Sequence, residues 1–253
     1  MSTPDIILRD LHKQYSLHIT MGHGYKLILT NLMRGKFFQK RIHHVLRGIS
    51  FTINRGESVG IIGRNGAGKS TMLGLMANVM QPTSGELRLM RPVFAMLELG
   101  SGFHPDLTGR ENIIMNGVLL GLHKREVLQK QADIIAYSEL EEFIDQPIRT
   151  YSSGMLARLG FSILVQLDPQ IFLLDEVFAV GDTHFQAKCR RSIKALKESS
   201  DTTIVLVSHD MASVRELCSR CIWIEDGLVK MDADTEGVVA AFELAGENEG
   251  DNQ

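Results

Sequence analysis

Apolar residues in this chain fall into short blocks separated by polar punctuation. Three of them, residues 58–62 (SVGII), 171–174 (IFLL) and 203–207 (TIVLV), have the length and near-continuous apolar character of strands buried on both faces of a sheet. Residues 221–225 read as a further strand, and residues 71–80, 124–137, 155–165 and 211–218 read as helices. In order, these make a strand, a helix, a helical insertion of roughly residues 100–165, and then buried strands with helices between them. The predicted fold class is α/β, a parallel-sheet core with an inserted α-helical subdomain. One domain is expected over residues 1–245, followed by a short acidic tail, 246–253, expected to be disordered. No apolar stretch approaches the ~20 residues of a membrane-spanning helix.

Composition changes this picture little: 253 residues, 44% apolar, 23% charged and a net charge of −3 describe an ordinary globular chain. The placement of charge says more. Residues 11–56 contain no Asp or Glu but carry Lys13, Lys26, Arg34, Lys36, Lys40, Arg41, Arg47 and Arg55, whereas every charge from Met231 onward is acidic. Within the basic stretch, residues 25–41 mix Leu27, Ile28, Leu29, Leu32, Met33, Phe37 and Phe38 with cations. That mixture suits an interfacial helix at anionic lipid head groups; a solvated basic face is the other reading. Cys189, Cys218 and Cys221 are too few and too clustered for a disulfide framework, and residues 1–10 lack the basic-then-apolar run of a secretory leader. A cytoplasmic chain is expected. The CxxC of Cys218 and Cys221 has no second pair and reads as two partly buried thiols.

Candidate chemistry begins at Gly63-Arg64-Asn65-Gly66-Ala67-Gly68-Lys69-Ser70-Thr71, which fits GxxxxGK[ST] between the strand at 58–62 and a helix. In such a loop the glycines let successive N–H groups turn toward phosphate oxygens and the following helix adds its positive end. Lys69 supplies a point charge, and Ser70 is the expected Mg²⁺ ligand. A second element should be an apolar strand ending in acid, because Mg²⁺ takes rigidly held carboxylate oxygens beside the phosphates. Residues 171–174 followed by Asp175 and Glu176 provide it. Asp175 is placed near the metal, and Glu176 is placed to take a proton from an attacking water.

Between loop and acidic strand stands Tyr151-Ser152-Ser153-Gly154-Met155. Here the chain resembles the nucleotide-binding subunits of ATP-binding cassette transporters, whose signature at this place usually reads LSGGQ. Ser152 and Gly154 match, while Tyr151, Ser153 and Met155 depart. A hydroxyl and small residues at a helix start allow a phosphate to approach closely. The resemblance implies more. An antiparallel β subdomain should accompany the core. His209, after the strand at 203–207, should touch the terminal phosphate, Tyr15 should stack on adenine, and Asp182 should lie in the loop that reaches across a dimer. Glu98 stands where the family's glutamine links metal to the transporter-facing helices.

The run YSSGM together with Asp175-Glu176-Val177-Phe178-Ala179-Val180-Gly181-Asp182 is similar to the ATPases that export bacterial cell-surface polysaccharides such as O-antigen, capsule and teichoic acid. This resemblance implies ATP and Mg²⁺ as ligands and a head-to-tail dimer with ATP between Gly63–Thr71 of one copy and Ser152, Ser153 and Gly154 of the other. It further implies a separate membrane-spanning permease, a polymer on a lipid pyrophosphate carrier, and a peripheral position on the cytoplasmic side of the inner membrane. No nucleic-acid partner is expected. Some members carry a second, carbohydrate-binding domain; none is expected after Phe242. A lipid or drug exporter shares all of these motifs except the unusual signature and the Asp182 loop, and stands as the alternative.

Overall fold

The computed structural model describes residues 3–19, 39–96, 102–175, 182–199 and 201–250. Two sheets organise them. Strands β1 (Pro4–Ile19), β2 (Gln39–Asn54) and β4 (Ser84–Leu89) form an antiparallel sheet in the order β2-β1-β4. The second contains β3 (Ser58–Ile62), β5 (Val93–Met96), β6 (Ile171–Asp175), β7 (Thr203–Val207), β8 (Arg220–Glu225) and β9 (Leu228–Asp234), in the order β5-β6-β7-β3-β8-β9. Its first five strands are mutually parallel, and β9 closes the edge antiparallel to β8.

Helices cover the sheet. They are α1 (Lys69–Met76), α2 (Gly109–Leu119), α3 (Lys124–Ser138), α4 (Ser153–Gln166), α5 (Thr183–Glu198), α6 (Met211–Leu217) and α7 (Thr235–Gly250). Period-two alternation explains why the central strands read as nearly unbroken apolar runs. Ile171 and Leu173 of β6 turn to a layer shared with Val205, Val207, Ile61, Met72 and Met76 of α1, and Leu46, Ile49 and Ile53 of β2. Phe172 and Leu174 turn to the opposite layer, with Ile204, Leu206, Phe161, Phe185 and Trp223. The antiparallel sheet and α1 therefore cover one face, and the helical insertion covers the other. α2 starts where Thr108 accepts the Glu111 amide and the Glu111 carboxylate accepts the Thr108 amide, a complete capping box.

Three expectations are corrected. The helix after the glycine loop stops at Met76 instead of Met80, because Asn78 adopts positive φ (57°) and Met80 folds back until its Cε lies 2.9 Å from the place a Cβ on Gly74 would occupy. Residues 39–41, taken as the end of an interfacial helix, are strand, paired with Ile19, His18 and Leu17 of β1; the rest of that stretch, 25–38, lies outside the described residues. Of the tail expected to be disordered over residues 246–253, residues 246–250 are helix, and 251–253 lie outside the described residues. Arg215 grips Glu243 (2.8 and 3.0 Å), and a helix anchored there lengthens at little cost per added residue.

Candidate nucleotide site

The glycine loop leaves the carboxyl end of β3 and enters α1. Gly63 (φ 154°) and Gly68 (φ 104°) hold backbone conformations that a side chain rarely adopts, and neither has space for one. A Cβ at Gly63 would stand 2.2 Å from the Ile224 carbonyl oxygen, and at Gly68 2.7 Å from Leu46 Cδ2. Gly66 (φ 83°) would meet nothing within 4 Å, and Arg64, Asn65, Gly66 and Ser70 are exposed, so the loop has one packed side and one open side. Thr71 is half-buried.

Lys69 is buried, 7% exposed, and its Nζ donates to the carbonyl oxygens of Gly63 (2.7 Å) and Arg64 (3.1 Å). These neutral acceptors are weaker partners for an ammonium than phosphate oxygens are. The cap of α1 is Gly68, which offers no side-chain acceptor to the helix's first amides. A helix start without a side-chain cap results, and its donor set fits a nucleotide phosphate.

Register brings the other acidic and basic candidates to the same edge. Val207 of β7 lies beside Ile61 of β3 on one side and beside Asp175 of β6 on the other. Gly63, Asp175 and His209 therefore emerge from the carboxyl ends of three adjacent parallel strands, where α/β sheets place ligands. The Ser208 amide donates to the Ile61 carbonyl (3.4 Å), and the Asp210 amide donates to Ser208 Oγ (3.0 Å). Asp210 in turn caps α6 through the amides of Ala212 and Ser213. The Ser213 hydroxyl and those amides hold its carboxyl below the usual carboxylate range. The exposed His209 is thus pinned on both sides. Glu98 and Glu176 lie outside the described residues.

Tyr15, 37% exposed, sits on β1 opposite His43 of β2, with its hydroxyl donating to Met80 Sδ (3.3 Å) and Lys13 Nζ 5.3 Å from its ring centre. The signature turn is built elsewhere. Tyr151 is buried, and its hydroxyl donates to the Phe143 carbonyl (2.7 Å), which accounts for a tyrosine where leucine is usual. Ser152 caps α4 by accepting the Met155 amide (3.2 Å), and Ser152 and Ser153 face solvent. α4 packs against α2, α3, α5 and β5, none of which carries the glycine loop.

Asp182 caps α5 through the Phe185 amide (2.9 Å) and is paired with Arg158 of α4, which also reaches Glu139 (3.1 Å), the last-turn cap of α3. Lys188 adds a second bond to Glu139 (2.8 Å). The Lys188 and Arg158 cations hold the Glu139 carboxyl low; the Phe185 amide first, and then Arg158, do the same for Asp182. Sequence reading did not single out Arg158 or Glu139. One signal was available: Arg158 is the only charged residue in α4, and a lone charge in an otherwise apolar helix needs a partner.

Residues 46–179 match the sequence family described as ABC transporter. The chain belongs to the ABC transporter family. This ABC protein is 47% identical over 243 residues, 96% of this chain and 98% of the other, to an O-antigen export system ATP-binding protein of Klebsiella pneumoniae. It is 43% identical over 198 residues, 78% of this chain and 42% of the other, to a teichoic acids export ATP-binding protein of Lactococcus lactis. Its fold is that of a dimeric ATP-binding cassette solved in a post-hydrolysis state with ADP and Pi (TM-score 0.70, 22% identity, 91% of this chain and 98% of that one).

Proposed function

We propose that this ABC protein is the ATP-hydrolysing subunit that powers export of a lipid-linked cell-surface polysaccharide through a separate membrane-spanning partner. The observation that carries the reading is the near full-length 47% identity to an O-antigen export ATP-binding protein, on a chain whose glycine loop is shaped to hold phosphate. Similarity to a teichoic acids export protein supports the same class of cargo. Among the described residues no helix is long and apolar enough to cross a membrane, so the membrane passage belongs to the partner in this reading.

The residues divide the work by their chemistry. The amides of the loop and of the α1 start bind the phosphates, and Lys69 exchanges two carbonyl partners for phosphate oxygens. Ser70 and Asp175 are the groups that would hold Mg²⁺, which when bound supplies positive charge against the phosphates. Glu176 takes the proton of the attacking water, His209 orients the terminal phosphate, and Tyr15 stacks on the base. Ser152, Ser153, Gly154 and Asp182 complete the site of a second copy, so nucleotide sits between two chains and its hydrolysis separates them. The exposed Val118, Leu119 and Leu128 of α2 and α3 offer the membrane partner an apolar surface.

Deleting the gene and complementing it with wild type or Glu176→Gln tests the reading. Lipid-linked polymer accumulating inside the cell, with none at the surface, is expected for the deletion and for Glu176→Gln; normal surface polymer would move the cargo to another lipid or a drug. In the purified protein, Glu176→Gln should retain ATP while turning over about 100-fold slower or worse, and Lys69→Ala should weaken ATP binding itself.

A further inference from the structure

The turn between β8 and β9 lies against Val45 and Leu46 of β2, the two residues that also pack against Gly68 of the phosphate loop. Asp226 (φ 50°) and Gly227 (φ 76°) form a two-residue hairpin turn with both residues left-handed. A Cβ on Gly227 would stand 2.3 Å from the carbonyl oxygen of Val45. The same oxygen lies 3.1 Å from the place a Cβ on Gly68 would occupy. Val45 is where the β1–β2 register slips: Lys13 faces Leu46 and Gln14 faces His44, leaving Val45 with no partner in the pairing. Its carbonyl is thereby wedged between the glycine of the hairpin turn and the glycine that begins α1. The contact is also tied by a hydrogen bond, because the Arg47 amide donates to the Gly227 carbonyl (2.9 Å).

We infer that the Asp226–Gly227 turn is a positioning element for nucleotide binding, acting through the Val45 carbonyl on Gly68. Moving that carbonyl toward Gly68 shifts the first amides of α1 and the backbone on which Lys69 stands, the groups aimed at phosphate. Gly227 touches no substrate in this account. The inference rests on the reading of residues 63–71 as the nucleotide site.

A comparison of two glycines tests it. Gly85 on β4 has the same burden, φ 86° and a would-be Cβ 2.1 Å from the Asp10 carbonyl oxygen, but neither Gly85 nor Asp10 belongs to the phosphate loop or to β2. MgATP and MgADP affinities are measured by calorimetry on the full chain for wild type, Gly227→Ala, Gly227→Asn and Gly85→Ala, alongside thermal unfolding. Asparagine tolerates positive φ, so Gly227→Asn adds the Cβ with less backbone strain and guards against a variant that fails to fold. The expected result is a loss of nucleotide affinity of about tenfold in both Gly227 variants, with Gly85→Ala within about twofold of wild type at a similar drop in melting temperature. Folded Gly227 variants with wild-type affinity would overturn the inference, as would an equal loss in Gly85→Ala. Failure of wild type to bind either nucleotide would overturn the reading of the site instead.

Discussion

The phosphate loop and the signature turn both place Ser and Gly at the start of a helix, yet they are held in opposite ways. Gly63 and Gly68 are jammed against Ile224, Leu46 and Val45 of their own chain, and Lys69 is already bonded to two loop carbonyls. Gly154 would accept a Cβ with no neighbour nearer than 3.8 Å, and the Ser152 and Ser153 side of the turn faces solvent. The first pair of glycines is demanded by this chain's packing. Gly154 is not; in the proposed dimer its smallness leaves room for nucleotide held by a second copy.

The comparison breaks most visibly at Gly63. Gly63→Ala combines positive φ with a Cβ 2.2 Å from a backbone oxygen and should cost about 3 kcal/mol of stability or more, read by urea unfolding. Gly154→Ala is the opposite case. Its stability should stay within about 0.5 kcal/mol of wild type, since alanine suits a helix better than glycine, while ATPase turnover falls about tenfold or more through a weakened two-chain site. Normal turnover in Gly154→Ala would show that nothing approaches the turn closely.

A smaller effect is expected at the clasp joining α4 to α3 and α5. Arg158→Met should cost about 1 kcal/mol, because the ion pairs it removes are partly exposed. Its pH dependence sharpens the assignment. Glu139 and Asp182 have folded-state pKa values below their ordinary ones, so their stabilisation is complete above the unfolded carboxylate range near pH 4 and is lost as the pH falls through the folded values. Thermal unfolding from pH 7 to pH 3 should therefore show a steep acid limb in wild type and a shallower one in Arg158→Met. The smallest effect concerns the thiols. Burial pushes Cys189, Cys218 and Cys221 up to about 12, so alkylation of the native chain at pH 8 should be negligible and appear only on unfolding.

Legibility in the sequence followed contiguity. Residues 63–71 were readable because one short segment supplies flexible glycines, backbone amides, a lysine and a hydroxyl together. The central strands were readable because burial on both faces leaves a nearly unbroken apolar run. The end of α1 was not, since what stops it is Asn78 turning left-handed and Met80 packing back on Gly74, a contact that helical periodicity does not report. Nor was the Arg158 clasp legible as a clasp. Its partners lie 19 and 24 residues away on different helices, and only the isolation of one charge in α4 marked it. The Val45 bulge left no trace at all, because it is a property of how β1 and β2 are paired.

What the sequence determined by itself was the chemistry available: a loop able to surround phosphate, a lysine and a carboxylate at its strand ends, and a serine-capped helix start. These follow from local backbone freedom and residue type, which need no long-range contact to be expressed. The tertiary structure decided where those groups point and what holds them. Strand register set Gly63, Asp175 and His209 along one sheet edge, and packing of Ile224 against Gly63 and of Leu46 and Val45 against Gly68 left those two positions no room for a side chain. Register and packing depend on pairs of residues far apart in the chain, and those pairings exist only once the sheets have formed.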